Sequence, residues 1–141
     1  MIIYFDTSSL VKLYVEEAHT PKVIEWVEDS ELVATCRVAY PETISALNRR
    51  FRSGELSKSD YELLLGGFDK DWLNYVVLDF DEIEAGRFVI KYGLRGFDAV
   101  HLSSAKMIKR NAEVVLFFSS FDEKLNKAAA SEGLDVLMPD D

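Results

Sequence analysis

Four acidic residues, far apart in the sequence, are the side chains best suited to chemistry: Asp6, Glu42, Asp98 and Asp122. The sequence has no G-x-S-x-G run, one cysteine and only two histidines, so it does not indicate a serine or cysteine nucleophile. Carboxylate oxygens select Mg²⁺ or Mn²⁺ over zinc. The residue types therefore predict a hard divalent cation wherever these acids meet.

Asp98 is the acid that a structural role explains least well. In the run RGFDAVHLSSAKMI, helical spacing places it on one face with His101, Leu102, Ala105 and Ile108. That face is apolar except at its N-terminal end, where a carboxylate loses hydration unless a charge or a metal compensates. We therefore expect Asp98 to belong to a functional site. His101 is more typical of a hydrogen-bonded core residue, and we expect it to support Asp98.

The other three acids each allow a structural interpretation as well. Asp6 ends an apolar run and precedes Thr-Ser-Ser, so it could cap a helix. Asp122 could cap a helix that begins near Glu123, as could Ser120. Glu42 could stabilise the first turn of its helix through the helix dipole. The local sequence leaves both interpretations open for these three residues.

Apolar runs and helical patterns alternate along the chain, which predicts an α/β fold. The runs at 2–5, 33–35, 76–80, 114–118 and 136–138 are typical of strands in a parallel sheet. The helical patterns cover 10–16, 21–29, 41–52, 58–73, 82–92, 99–110 and 123–132. With 141 residues, we expect one domain over 1–141. Ligands of such sheets bind beyond the carboxyl ends of the strands, where Asp6 and Asp122 fall.

The net charge of −9 argues against a uniformly basic nucleic-acid-binding module. Two stretches nevertheless carry a positive balance, +3 over 37–58 and +5 over 87–110, which leaves −17 elsewhere. This asymmetry indicates either a basic rim around an acidic pocket or ordinary solvated helix faces.

The N-terminal and apolar segments predict a cytoplasmic protein without a membrane span. MIIYFDTSSL lacks a basic region and a cleavage site typical of a secretory signal. No apolar run approaches the ~20 residues of a transmembrane helix. The lone Cys36 cannot form an intramolecular disulfide, which favours a reducing compartment.

Four segments in order carry a resemblance to a known family: MIIYFDTSSLVKLY, PETISALNRR, RGFDAVHLSSA and FFSSFDEKLNKAAASEGLDVL. Together they resemble the PIN-domain ribonucleases, in particular the VapC-like toxins of prokaryotic toxin–antitoxin pairs. The resemblance covers essentially the whole chain. It implies a three-layer α/β/α sandwich with a central five-stranded parallel sheet.

The resemblance also implies a function and its residues. The family's acidic quartet falls on Asp6, Glu42, Asp98 and Asp122, with Ser8 and Ser120 lining the site. It implies RNA cleavage that depends on Mg²⁺ or Mn²⁺, a homodimer, an RNA substrate such as transfer or ribosomal RNA, and a VapB-like antitoxin whose C-terminal segment covers the pocket.

We expect Asp6, Asp98 and Asp122 to contribute to metal binding, and Glu42 or Asp122 to orient the attacking water. Ser8 and Ser120 would hold carboxylates or waters by hydrogen bonds. In so acidic a chain, RNA contact must be local, through two basic clusters: Arg49, Arg50 and Arg52, and Lys106, Lys109 and Arg110.

Other interpretations of the sequence remain open. A phosphotransfer receiver domain has a similar size, but it needs paired acids after the first strand and a lysine after the last, which this chain lacks. A non-catalytic module or a DNA-directed or structure-specific nuclease of the same superfamily would fit the same residues. The helix over 58–73 carries an apolar stripe that fits either an antitoxin groove or the core and dimer interface: Tyr61, Leu64, Leu65, Phe68 and Trp72.

Overall fold

The computed structural model describes residues 1–111 and 113–139. Its centre is a sheet of five strands: β1 (Ile2–Phe5), β2 (Leu32–Cys36), β3 (Val76–Leu78), β4 (Leu116–Ser119) and β5 (Asp135–Leu137). The strand order is β3-β2-β1-β4-β5, and every pairing is parallel. The order reverses at β1, so the crevice at the carboxyl ends of β1 and β4 is the place where such sheets bind ligands.

Seven α-helices connect the described strands: α1 (Thr7–Leu10), α2 (Thr20–Asp29), α3 (Ala39–Arg52), α4 (Lys58–Trp72), α5 (Glu82–Tyr92), α6 (Gly96–Lys109) and α7 (Glu123–Ser131). A 3-10 turn over Val11–Leu13 follows α1. The predicted helix over 10–16 is wrong, because Asp6 starts the helix at Thr7 and the chain leaves helical geometry by Tyr14.

Two hydrophobic clusters cover the two faces of the sheet and confirm the predicted three-layer sandwich. Ile3, Tyr4 and Phe5 are fully buried, and their side chains alternate between the faces. Tyr4 packs with residues of α5, α6 and α7, whereas Ile3 and Phe5 pack with residues of α1 to α4. Burial on both faces explains why these strands read as continuous apolar runs.

Helix ends follow local signals, with one correction. Asp81 caps α5 by accepting hydrogen bonds from the backbone N–H groups of Ile83 and Glu84, and Gly93 ends that helix in the left-handed region at φ 66°. At α7 the cap is Asp122 and not Ser120. The Ser120 hydroxyl is thereby left for a contact with another part of the chain.

The apolar stripe of α4 faces the protein's own core. Phe68 is fully buried, and Trp72 packs in the same cluster. Tyr61, Leu64 and Leu65 pack on Val11, Val15 and Leu47. The structure therefore supports the core interpretation for Phe68 and packs the other four residues, which are half-buried, on the core; Leu64 also lines a second cavity of about 440 Å³. None of the described helices is long and apolar enough to cross a bilayer.

Candidate active site

Asp6 directly follows β1, and three donors fix its carboxylate. Oδ1 accepts hydrogen bonds from Ser8 Oγ at 2.7 Å and from the Ser9 backbone N–H at 3.0 Å, while Oδ2 accepts from Ser120 Oγ at 2.6 Å. The residue is only 3% exposed, and this burial raises its pKa, while the nearby His101 and the three hydrogen bonds oppose the rise. Asp6 therefore caps α1 and also holds a carboxylate at the switch point of the sheet.

Glu42 lies in the first turn of α3 and reaches across to α1 and α6. Its Oε1 accepts from Thr7 Oγ1 at 2.6 Å and from His101 Nε2 at 3.0 Å. Burial raises the pKa of Glu42, but the hydrogen bonds from His101 and Thr7 outweigh burial, so the net pKa lies below the usual value. Glu42 is consequently an ionised carboxylate of fixed orientation at neutral pH.

His101 links Glu42 to the core of the sheet. It is 1% exposed, and its Nδ1 lies 2.8 Å from the Tyr4 hydroxyl while its Nε2 lies 3.1 Å from Thr7 Oγ1. The single hydroxyl hydrogen of Thr7 is directed at Glu42, so Thr7 Oγ1 can only accept from His101. We therefore assign a hydrogen to Nε2. The direct hydrogen bonds of His101 are to Glu42, Thr7 and Tyr4, and the support for Asp98 that the sequence predicted is electrostatic, since the nearby His101 lowers the pKa of Asp98.

Asp98 lies near the start of α6 and is half-buried. Burial raises its pKa, and the nearby carboxylates of Asp122 and Asp6 raise it further, while His101 and Arg95 oppose the rise. Among the described residues, no lysine or arginine forms an ion pair with Asp6, Asp98 or Asp122. The three acids thus accumulate negative charge that no direct ion pair offsets, and the charge of Arg95 only partly opposes it.

Asp122 and the two predicted supporting serines connect the ends of β1 and β4. Asp122 Oδ1 accepts from the Leu125 backbone N–H at 2.8 Å, and its own N–H donates to Ser120 Oγ at 3.0 Å. Ser8 Oγ accepts from the Phe121 backbone N–H at 3.0 Å. Both hydroxyls donate to Asp6, so the two serines connect that carboxylate to the loop between β4 and α7.

The carboxylate oxygens of the site are the ligands that a hard cation prefers, but the side chains alone do not complete its coordination. No three acidic, histidine or cysteine side chains within the described part of the chain are placed to hold one ion by themselves. That Asp6, Asp98 and Asp122 contribute to metal binding, directly or through water, stays a prediction. Mg²⁺ commonly binds through one or two carboxylates and keeps several waters. The repulsion that raises the pKa of Asp98 is the kind that a cation relieves.

A cavity of about 980 Å³ opens beside the acids. Its walls include Thr7, Ser8 and Glu42 together with Arg49 and the side chain of Phe97, which directly precedes Asp98. A cavity of this size can take a molecular ligand as well as an ion.

The basic residues predicted for RNA contact separate into two groups. Arg49 and Arg50 line the cavity, but Arg50 is held by Glu17 and Glu55 at 2.5 Å and 3.0 Å. Arg52 is exposed at the end of α3, outside the cavity wall.

The second basic cluster is not brought to the site. Lys106 pairs with Glu132 at 3.0 Å, and Arg110 pairs with Glu84 at 2.6 Å. Lys106 lies two helical turns beyond Asp98, ~12 Å along α6. Its predicted role in RNA contact is therefore not supported.

Sequence reasoning missed three residues of this site: Thr7, Tyr4 and Phe97. Thr7 had a signal, since it directly follows Asp6, but its hydroxyl was explained as part of a cap. Tyr4 belongs to a buried apolar run, and only the sheet register places its hydroxyl against His101. Phe97 gave no signal, because a lone aromatic residue before Asp98 is equally typical of a core.

The fold and this geometry agree with comparisons to known proteins. Residues 3–131 match the PIN domain family. The chain is 30% identical to ribonuclease VapC45 of Mycobacterium tuberculosis over 96% of this chain and 94% of that protein. The chain belongs to the PIN domain family.

Solved structures of the same fold cover nearly the whole chain. The crystal structure of PAE2754 from Pyrobaculum aerophilum superposes with a TM-score of 0.68 at 20% identity, over 96% of this chain and 89% of that one. A toxin–antitoxin complex from Klebsiella pneumoniae gives a TM-score of 0.64 at 13% identity, over 96% of each chain. These similarities confirm the predicted fold.

Proposed function

We propose that this protein is a metal-dependent endoribonuclease and the toxin of a toxin–antitoxin pair. The observation that carries the proposal is the convergence of Asp6, Asp98 and Asp122 at the switch point of the sheet, without a cationic partner among the described residues. Glu42 lines the adjoining cavity. The similarity to VapC45, whose name is that of a ribonuclease, supports RNA as the substrate class.

Each site residue has a task that follows from its contacts. Glu42, kept ionised and oriented by Thr7 and His101, accepts a hydrogen bond from the attacking water and aligns it. Ser8 and Ser120 hold the Asp6 carboxylate in one orientation. Preorganised groups of this kind avoid reorganisation during the reaction.

Asp6 and Asp98 are the residues that would hold Mg²⁺ or Mn²⁺, with Asp122 beside them and water completing the coordination. Such an ion would supply an acidified water and offset the charge of the phosphate. The protein's part is to hold these carboxylates close together. Burial and the neighbouring acids then raise the pKa of Asp98, and a bound cation would favour its ionised form.

The same proposal includes a protein partner and a dimer. The Klebsiella pneumoniae structure is a toxin–antitoxin complex with this fold. By analogy, a VapB-like antitoxin would bind this chain in the cytoplasm and block the acidic cavity.

Cleavage assays with a pair of isosteric variants test the proposal. Purified protein without antitoxin is incubated with transfer RNA, ribosomal RNA fragments and single-stranded DNA, in Mg²⁺, Mn²⁺ or EDTA. We expect RNA cleavage in either metal, none in EDTA, and a loss of at least ~100-fold in Asp98→Asn.

Asp29→Asn is the matched control, because it removes one exposed carboxylate at the end of α2 and should keep full activity. Equal activity of the two variants, or full activity in EDTA, would overturn the proposed chemistry. Cutting of DNA alone would instead favour a DNA-directed nuclease of the same fold.

A further inference from the structure

Phe97 is an aromatic side chain left open to solvent at the edge of the acidic site. It is 59% exposed, although it lies in the first turn of α6 between Gly96 and Asp98. No described aromatic residue packs against its ring. Other apolar residues are exposed too, such as Ile90 on α5, so exposure alone does not assign a role.

The position of Phe97 in the wall of the cavity indicates a role for its exposed ring. Its side chain lines the same cavity as Ser8, Glu42 and Arg49, and it is the sole aromatic residue among the described lining residues. The next residue in the chain, Asp98, belongs to the acidic cluster. A group stacked on this ring would therefore lie in the same cavity as Glu42 and Ser8, two residues of the proposed site.

The charges in the cavity show why a stacking contact is needed. Lys12 is paired with Glu17 at 3.5 Å, and the same acid holds Arg50. Of the three described cations in the cavity wall, Lys12 and Arg50 are therefore already paired. Arg49 has no ion pair among the described side chains, so it is the one left for a phosphate. In a chain of net charge −9, phosphate attraction alone supplies little affinity. Stacking on an aromatic face supplies affinity that does not depend on charge.

We propose that Phe97 is a stacking platform for one unpaired base of the RNA substrate, next to the phosphate that is cut. Arg49 contacts a backbone phosphate on the opposite side of the base. This subsite rests on the proposed function and sharpens its substrate class. A base inside a duplex has no free face, so the protein selects single-stranded or looped RNA.

Equilibrium binding with two forms of one probe tests the subsite. A fluorescein-labelled, mixed-sequence RNA is measured by anisotropy in EDTA, once as a single strand and once annealed to its complement. We expect Phe97→Ala to weaken single-strand binding ~10-fold, within the range of stacking contributions, and to leave duplex binding unchanged. Phe97→Tyr keeps the ring and should bind within about twofold of the wild type.

Two control variants separate stacking from charge and from general loss of apolar surface. Arg49→Ala should reduce the dependence of log affinity on log salt by about 0.7, the effect of one lost phosphate contact on a single strand, whereas Phe97→Ala should leave that slope unchanged. Ile90→Ala removes an apolar side chain that is 88% exposed on α5 and should not alter binding.

The stacking proposal is overturned if Phe97→Ala binds the single strand like the wild type, if it weakens both probes equally, or if the wild type does not bind the single strand. Unchanged RNA binding would assign the exposed ring to a protein partner instead. The cleavage test with Asp98→Asn is independent, since a Phe97-dependent affinity without any cleavage would refute the nuclease and leave the subsite standing.

Discussion

Glu132 and Asp98 are both carboxylates held among helices, yet their surroundings move their pKa values in opposite directions. Glu132 follows α7 and receives hydrogen bonds from the Tyr92 hydroxyl, from Lys106 at 3.0 Å and from Lys91 at 3.1 Å. These contacts, with the Tyr92 hydroxyl contributing most, lower its pKa to about 2. Around Asp98, burial and the neighbouring acids Asp122 and Asp6 raise the pKa.

The difference separates a carboxylate that stabilises the fold from one kept for chemistry. Glu132 joins α5, α6 and α7 with its charge fully compensated. Asp6, Asp98 and Asp122 have no direct ion pair among the described residues, which costs stability in the free protein and leaves lone pairs for a ligand. Four substitutions, taken from the largest expected effect to the smallest, test whether this division is correct.

Replacing Glu42 by glutamine should reduce RNA cleavage by ~100-fold or more, because the acceptor geometry survives but the negative charge is lost. Initial rates in Mg²⁺ measure the effect. Glu82→Gln is the control, since Glu82 is also a first-turn acid, on α5, away from the cavity. Equal rates for the two variants would reduce Glu42 to a residue that stabilises its helix.

Replacing His101 tests the chain of hydrogen bonds behind Glu42. In His101→Asn the amide can reach only the Tyr4 side, so cleavage should fall ~10-fold, whereas His101→Gln places a donor near the Nε2 position and should restore most of the rate. Rates and thermal unfolding are measured on both variants. If both lose activity in proportion to lost stability, His101 is a core residue only.

Replacing Glu132 by glutamine should lower the free energy of unfolding by about 1.5 kcal/mol at pH 7 and leave cleavage unchanged. The folded-state pKa is about 2, below the usual value of about 4.5, so the stabilisation is present above pH ~4.5 and is lost as the pH falls toward 2. Urea titrations at pH 7 and pH 3 should show the difference from the wild type shrinking at the lower pH. A constant difference would mean that packing, not charge, links these helices.

Replacing Asp98 by asparagine should stabilise the protein in EDTA by roughly 0.5 kcal/mol at pH 7, a small value because a half-exposed charge is screened by solvent. The raised pKa means that the folded state holds this proton more tightly than the unfolded state, so ionisation above the unfolded-state pKa destabilises the wild type. Melting curves should therefore differ at pH 7 and coincide near pH 3, where both side chains are neutral. Destabilisation by this substitution at pH 7 would indicate a structural role for Asp98.

The helix boundaries show how far local sequence signals extend. The cap at Asp81 and the left-handed Gly93 depend only on residues within one turn of the ends of α5. The prediction of a helix over 10–16 is wrong, because Val11 and Val15 pack in a cluster with Leu47 on α3 rather than in a continuous helical stripe. The spacing of apolar residues indicates which side chains are buried, and the burial of Val11 and Val15 comes from their packing on α3.

The acidic residues show the same limit for function. Asp6, Glu42, Asp98 and Asp122 could be selected from the sequence because carboxylates after apolar runs or on apolar faces need an explanation. The sequence could not assign His101 to Glu42 rather than Asp98, since these residues are 59 apart in the chain and meet only because α3 and α6, on opposite faces of the sheet, both bring a side chain to the carboxyl ends of its strands. It likewise could not show that Lys106 is held by Glu132, away from the cavity.

The sequence by itself determined the alternation of strands and helices, the caps and the set of candidate acids, because these depend on spacing and on contacts within one or two turns. Only the tertiary structure decided the rest: which carboxylates lack a cation, which basic residues are already paired, and that Phe97 lies open beside the site. Those properties depend on the parallel pairing of β1 with β4 at the switch point and on the helices around it, where residues over 90 positions apart come into contact, as Thr7 and His101 do.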